Sequence, residues 1–237
     1  MEWFEDKFNK RKVVHSSRPV VRRRIAPSSG LSYTTLIIIL NVFAFIAFLI
    51  LVNVFGEGRA VSWLALKPST ILAGQNIWTL ITSMFLHAGL GHLFVNMISL
   101  MFIGGFVEKL IGRRRFLWIY LGSGLFAGLF FVLISAITGM DLNVFAVGAS
   151  GAIFGLGGLL AVLTPRLPVL VFFIIPLPMW AAMVFLIVVL WALSFSLGLP
   201  IGNVAHLGGL IVGVLYGFYL KNRYPRKTRM IGRYFRR

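Results

Sequence analysis

The sequence has no cysteine and few charged residues. Without cysteine the chain cannot form a disulfide, a zinc–thiolate site or a cysteine nucleophile. Charged residues make up 12% of the 237 residues and hydrophobic residues 59%, whereas about a quarter of a soluble domain is charged. This scarcity of charge excludes a soluble globular domain and indicates an integral membrane protein.

Long stretches without charge divide the chain into six predicted membrane spans. No charged residue lies between Leu167 and Leu220, which is too long for one span of about 20 residues. Prolines and the segment "SLGLPIGN" break that stretch, because proline interrupts a helix. We expect Leu167–Leu177 to be a descending or re-entrant connection. The predicted spans are Tyr33–Phe55, Gly91–Ile111, Phe116–Thr138, Ser150 to about Pro165, Met179–Leu197 and Asn203–Leu220.

Apart from Lys109, at the end of span two, the basic residues lie outside these spans, and their distribution predicts the orientation of the spans. With a cytoplasmic N-terminus, only Arg59 and Lys67 of the 23 Lys and Arg residues fall on the outer side. Membrane proteins place such residues on the inner side, so we expect both termini to be cytoplasmic, in the cell membrane. The net charge of +17 is then explained by contact with anionic lipid, and no nucleic-acid partner is expected.

The charge distribution also predicts the organisation of the chain. We expect a basic cytoplasmic segment over residues 1–30, an all-α polytopic domain of six transmembrane helices over 31–220, and a basic cytoplasmic tail over 221–237. The arginines after span two place a cytoplasmic loop at Lys109–Arg115. Trp63 and Trp78 indicate an interfacial loop after the first span, because tryptophan favours the membrane boundary.

Four polar residues stand at the starts of three spans that all run from outside to inside. His92 and Asn96 open span two, Ser150 opens span four and His206 opens span six. Polar groups within a membrane are costly and mark functional sites. We therefore expect these residues to meet at one depth, near the outer surface.

Spacing indicates how they meet. His92 and Asn96 are four residues apart and share a helix face. The stripe of His206, Gly209, Gly213 and Gly217 lets another backbone approach closely, and span four offers Gly151 and Gly155. Such packing brings His206 towards Ser150, and a serine beside an imidazole is the minimum for nucleophilic catalysis.

No carboxylate is well placed to orient His206. Asp141, in an outer loop, is the only candidate, since Glu108 lies sixteen residues, roughly 24 Å, below His92. A Ser/His dyad is therefore favoured over a triad. Oxyanion donors are expected from His92, Asn96 and the Ser150 amide at a helix N-terminus.

These motifs resemble the rhomboid family of intramembrane serine proteases. "GASG", with Gly148 before Ser150 and Gly151 after it, is similar to the family's nucleophile motif. "HAGLGHLFVN", from His87 to Asn96, and "AHLGGLIVG", which carries His206, Gly209 and Gly213, resemble its two histidine motifs.

The resemblance covers residues 33–220 and implies roles for individual residues. It implies Ser150 as nucleophile, His206 as general base, and His92 with Asn96 in the oxyanion hole. It also implies single-pass transmembrane proteins as substrates, entering sideways past helix five, and no cofactor. Two residues depart from the family pattern: Thr79 follows Trp78 where many members have arginine, and Phe154 stands where some have tyrosine and can stack on the imidazole.

Each signal alone has a plainer explanation. Ser150 fits helix packing, His206 an interfacial histidine, and His92 with Asn96 a hydrogen bond between helices. We expect His87 to be structural and to tie the loop to the helix by hydrogen bonds.

Other classes of protein remain open from the residues alone. A transporter or proton channel would use His87, His92 and His206 as a relay, but no internal repeat is present. An inactive, client-binding relative would not need the intact serine and histidine. A metal site is not expected, because the three histidines have no inward carboxylate beside them.

Overall fold

The computed structural model describes residues 30–172, 174–198 and 202–234, so the predicted N-terminal segment 1–30 lies almost wholly outside the described residues. Helices dominate the described part. In chain order they are α1 Tyr33–Phe55, α2 Glu57–Leu64, α3 Pro68–Leu72, α4 Thr79–Thr82, α5 Leu90–Ser99, α6 Gly105–Ile111, α7 Arg113–Thr138, α8 Ser150–Leu163, α9 Met179–Leu197, α10 Asn203–Arg223 and α11 Pro225–Tyr234.

Five of these segments are long and apolar enough to cross a membrane. They are α1, α7, α9, α10 and the segment Leu90–Ile111, in which a π-helical turn joins α5 to α6. Helix α8 is apolar but has only 14 residues. The chain is therefore a polytopic helical membrane protein, and the count of six spans stays a prediction.

Helix α8 lies at the centre of the bundle despite its length. Every residue from Gly151 to Leu160 is buried, and α7, α9 and α10 all contact it. A central helix surrounded by protein has no lipid to match, so it can be shorter than a lipid-facing span.

Two predicted boundaries are wrong. The expected loop at Lys109–Arg115 is a single residue, Gly112, with φ +87°, a backbone conformation that glycine adopts without strain. The three arginines after it form the first turn of α7 instead. Helix α10 continues to Arg223, three residues beyond the predicted end, because lysine and arginine are good helix formers at a helix C-terminus.

The connection before α9 is a β-hairpin, and its expected descending or re-entrant course relative to the membrane stays a prediction. Strands β1 (Pro168–Val171) and β2 (Ile175–Pro178) pair antiparallel, with Pro168 opposite Pro178. The strand pairing provides hydrogen-bond partners for backbone N–H and C=O groups, which the apolar side chains of this segment cannot provide. Prolines are tolerated here because they stand at the edges of a two-stranded sheet.

The loop after α1 folds into short helices and holds the segment that precedes Ser150. Leu66 and Ala146 exchange two backbone hydrogen bonds, of 3.1 and 2.8 Å. Trp78 donates its indole N–H to the carbonyl of Trp63 at 2.8 Å, and both tryptophans are exposed, as expected of an interfacial loop. Thr79 is fully buried, and its hydroxyl donates to the carbonyl of Asn76.

Glu108 fixes the start of α1 at the opposite end of the bundle. Its carboxylate accepts the backbone N–H groups of Tyr33 and Thr34 at 2.9 and 2.8 Å, and the Thr34 hydroxyl at 2.7 Å. Arg113 lies 3.5 Å from the same carboxylate. A carboxylate at a helix N-terminus binds the free N–H groups and complements the helix dipole, so α1 and α6 are held together at that end.

Candidate active site

Ser150 lies where an irregular loop meets a buried helix. It is the first residue of α8, after the buried Ala149. Gly148 has φ +121°, and its N–H donates to the carbonyl of Ser83 at 2.8 Å. A β-carbon on Gly148 would lie 2.9 Å from the His92 ring. Both the backbone conformation and the neighbouring ring therefore require glycine at this position.

His206 contacts Ser150 directly. The Nε2 atom of His206 lies 2.7 Å from the Oγ atom of Ser150, a hydrogen-bond distance. The imidazole is buried and stacks on the Phe154 ring, with centroids 4.6 Å apart and planes 15° from parallel. Phe154 thus fixes the plane of the imidazole, as its position one helical turn from Ser150 predicts.

The other imidazole nitrogen has no hydrogen-bond partner among the described residues. His206 Nδ1 is buried and no donor or acceptor in that part of the chain reaches it. Asp141, the one candidate sequence reasoning left, lies in the exposed loop between α7 and α8. The described arrangement is therefore a serine–histidine pair without a carboxylate.

Glycines bring the two helices close enough for this contact. A β-carbon on Gly209 would overlap with the carbonyl oxygen of Gly151, and one on Gly213 would overlap with the carbonyl oxygen of Gly155. Backbone therefore packs on backbone along α8 and α10, as the glycine stripe predicts. The spacing of four residues on each helix keeps the contact on one face for two turns.

Sequence reasoning missed the third helix of this contact. A β-carbon on Gly151 would lie 2.7 Å from the side chain of Ala127 on α7, and Gly155 packs on Ser123. Ser123 and Ala127 are small residues four positions apart on α7, and this spacing is the signal that would have found the contact.

His92 and Asn96 lie one helical turn apart on α5, and His92 borders the turn that precedes Ser150. The His92 ring contacts Gly148, two residues before the serine. Asn96 is buried, and its side-chain N–H donates to the carbonyl of His92 at 2.8 Å. That bond uses one of its two N–H groups, which leaves the other for a ligand.

His87 packs on His92 through its ring and not through the expected hydrogen bonds. The two centroids are 5.1 Å apart with an edge-on geometry, and neither His87 nitrogen has a hydrogen-bond partner among the described residues. Burial, followed by the nearby His92, lowers the pKa of His87 to about 4. His87 is thus neutral at pH 7 and serves as a packed aromatic ring.

Replacing Gly213 by alanine is expected to push α10 away from α8. Its β-carbon overlaps with backbone, which cannot rotate away, so we expect Gly213→Ala to lower the melting temperature measured by thermal unfolding in detergent. The matched control is Gly122→Ala on α7, where nothing lies within 4 Å of the added carbon. Alanine favours a helix by about 1 kcal/mol over glycine, so the control stays level or rises. Equal melting temperatures for the two variants would contradict the close contact.

The buried His87 predicts a loss of stability in acid. The unfolded chain binds a proton at His87 below pH 6.5, whereas the folded chain does so only near pH 4. The neutral form of His87 therefore makes its full contribution to the free energy of unfolding above pH 6.5. That free energy falls as the pH drops from 6.5 to 4, by at most about 1.4 kcal/mol per pH unit. His87→Phe keeps a ring that cannot titrate, so its melting temperature should fall less between pH 7 and 4.5. Parallel slopes for the two proteins would rule out this role of His87.

Comparison with known proteins points to one family. A family model described as the Rhomboid domain matches residues 74–223. The chain is 32% identical to Rhomboid protein 1, mitochondrial, of Saccharomyces cerevisiae over 164 residues, 66% of this chain and 47% of the yeast protein. It is 34% identical to the Rhomboid protease GlpG of Yersinia enterocolitica over 175 residues, 73% of this chain and 59% of that protein. RHOMBOID-like protein 2 of Arabidopsis thaliana is 39% identical over 158 residues, 66% of this chain and 46% of that protein. The chain thus spans about half the length of these relatives.

Proposed function

Because the chain belongs to the rhomboid family, we propose that it is a serine endopeptidase that cleaves transmembrane segments within the membrane. The observation that carries the proposal is the 2.7 Å contact between His206 Nε2 and Ser150 Oγ. The similarity to a relative named as a protease supports it. An inactive client-binding protein does not need this contact, and a histidine relay gives Ser150 no special role.

In the proposed reaction Ser150 is the nucleophile and His206 the general base. Nε2 takes the hydroxyl proton while Oγ attacks the carbonyl carbon of the substrate peptide bond. The same nitrogen then gives the proton to the leaving amine, and an acyl-enzyme remains on Ser150. Water, deprotonated by His206, hydrolyses that ester and restores the serine. Nδ1 keeps its proton throughout, and the Phe154 stack supplies the orientation that a carboxylate gives in a triad.

The negative oxygen of the tetrahedral intermediate needs hydrogen-bond donors. We assign three: the backbone N–H of Ser150 at the α8 N-terminus, the His92 ring and the free N–H of Asn96. A helix N-terminus favours negative charge through its unpaired N–H groups. Gly148 contacts the His92 ring, which places that ring on the same side of the site as the serine.

Substrate access is proposed to pass α9. Of its 19 residues only Met179, Ala182 and Met183 are buried. They lie in its first turn and a half, and the partly buried side chains that pack on the core end at Leu190, so we propose that the last two turns of the helix move aside from the bundle.

The site is proposed to lie near the outer side of the cell membrane, with both termini cytoplasmic. The distribution of Lys and Arg supports this orientation. One relative is named as mitochondrial. Imaging of a tagged chain tests which membrane holds the protein, and labelling of a cysteine introduced at each terminus tests the orientation.

Loss of either member of the pair is expected to abolish cleavage. Ser150→Ala and His206→Ala should remove both proteolysis of a transmembrane substrate and labelling by a fluorophosphonate, while melting temperatures stay near wild type. Asn96→Ala should lower turnover by roughly tenfold to a thousandfold, as for one oxyanion donor. Ser123→Ala is the matched control, since this serine is buried on α7. Full cleavage by Ser150→Ala would overturn the proposal.

The position of Ser150 at the start of α8 predicts where substrates are cut. The bond should lie near the outer end of a single-pass helix, within small or helix-breaking residues, because a helical segment must unwind to expose its carbonyls. Mass spectrometry of the cleavage products gives the bond directly. Inserting four leucines on the cytoplasmic side of the substrate span should leave the cut where it is. Cuts clustered at the cytoplasmic end would contradict the proposed site.

A further inference from the structure

A cavity lies at the end of the bundle that is opposite Ser150. It has a volume of about 390 Å³ and opens between the end of α8, the last turns of α10 and the start of α11. The 14 residues of α8 separate it from Ser150 by roughly 20 Å at helical rise. Its polar lining is formed by Thr164, Arg166, Lys221, Thr228 and Arg229.

The charge of this cavity has one sign. Arg166, Lys221 and Arg229 line it, and no acidic residue does. Among the described residues the recorded ion pair joins Glu108 to Arg113 and involves none of the three. Clustered cations without a counter-charge attract an anion.

Helix dipoles account for only part of this charge. Arg166 follows the end of α8, and Lys221 lies in the last turn of α10. Cations at both places complement the negative C-termini of these helices. Arg229 has no such role, because it lies in the middle of α11. The α11 N-terminus also borders the cavity, through Pro225, and a helix N-terminus favours an anion.

The wall formed by α11 is fixed to the bundle. Arg115 of α7 donates to the hydroxyl of Tyr224 at 2.9 Å, and its guanidinium lies 5.0 Å from the centre of the same ring. Tyr224 immediately precedes α11. The direction of α11, and with it the position of Arg229, is thus set by a contact outside the cavity.

We propose that this cavity binds the phosphate of an anionic phospholipid headgroup. It lies where membrane-spanning helices end, which is the depth of the headgroups. Its wall also includes the apolar Val162, Leu163 and Pro165, so acyl chains have apolar surface to follow. A soluble phosphate would use the cations and leave this apolar surface unused. The inference does not depend on the proposed protease activity.

Native mass spectrometry of the purified full chain tests the proposal. Phosphatidylglycerol and phosphatidylcholine with identical acyl chains are added, and the fraction of protein carrying each lipid is measured. A basic residue near a membrane surface contributes about fivefold in affinity for anionic lipid. We expect phosphatidylglycerol to be preferred by tenfold or more, and the triple variant Arg166→Gln, Lys221→Gln, Arg229→Gln to lose that preference.

The matched control removes the same charge at the same end of the bundle. Arg114, Arg226 and Lys227 are exposed and do not line the cavity, so their replacement by glutamine should change the preference by less than twofold. An equal loss in both triple variants, or no preference in the wild type, would overturn the proposal. If the triple variant unfolds, the single variant Arg229→Gln replaces it in the test. We expect this variant to have a reduced preference for phosphatidylglycerol.

A second measurement distinguishes lipid from free phosphate. Melting temperatures are recorded with inorganic phosphate at millimolar concentration and, separately, with phosphatidylglycerol in micelles. We expect only the lipid to raise the melting temperature, and only when Arg166, Lys221 and Arg229 are intact. Stabilisation by inorganic phosphate alone would make this a soluble-anion site and would refute the lipid proposal.

Discussion

The backbone contact between α8 and α10 is the constraint on which the rest of the structure depends. In a membrane no hydrophobic force drives helices together, because lipid is as apolar as a leucine side chain. Association must come from close packing, and Gly151, Gly155, Gly209 and Gly213 remove the side chains that would keep the backbones apart. This contact sets the distance from Ser150 to the helix that carries His206.

Polar side chains in such apolar surroundings need hydrogen-bond partners within the protein. Ser150 and His206 satisfy one another, and Phe154 covers the imidazole face. His206 Nδ1 remains without a partner among the described residues. A carboxylate at that position would add a charge that is costly to bury in apolar surroundings. The arrangement therefore gives orientation by ring stacking, which costs no desolvation of charge.

The two ends of the bundle are stabilised differently. At the Ser150 end, backbone hydrogen bonds between Leu66 and Ala146 and ring packing between His87 and His92 hold the loops. At the opposite end charged groups hold the helices, with Glu108 at the start of α1. Charges are tolerated there because solvent and lipid headgroups are close.

The sequence by itself determined the long apolar helices and the identity of the paired residues. Hydropathy predicted Tyr33–Phe55, because length and charge decide what can span a membrane, and the flanking prolines with "SLGLPIGN" predicted the helix Met179–Leu197. Glycine spacing predicted which faces of α8 and α10 meet, because a four-residue period keeps small residues on one side of a helix.

Only the tertiary structure decided the remaining features, since each depends on how the surrounding helices and side chains pack. The pairing of β1 with β2 and the single-residue turn at Gly112 follow from where neighbouring helices end. The contact of Ala127 with Gly151 joins α7 to α8. The sequence pattern of neither helix identifies the other as the helix it packs on. The ring packing of His87 on His92 has the same cause, because an imidazole carries both hydrogen-bonding atoms and an aromatic face, and only the surrounding packing selects between them.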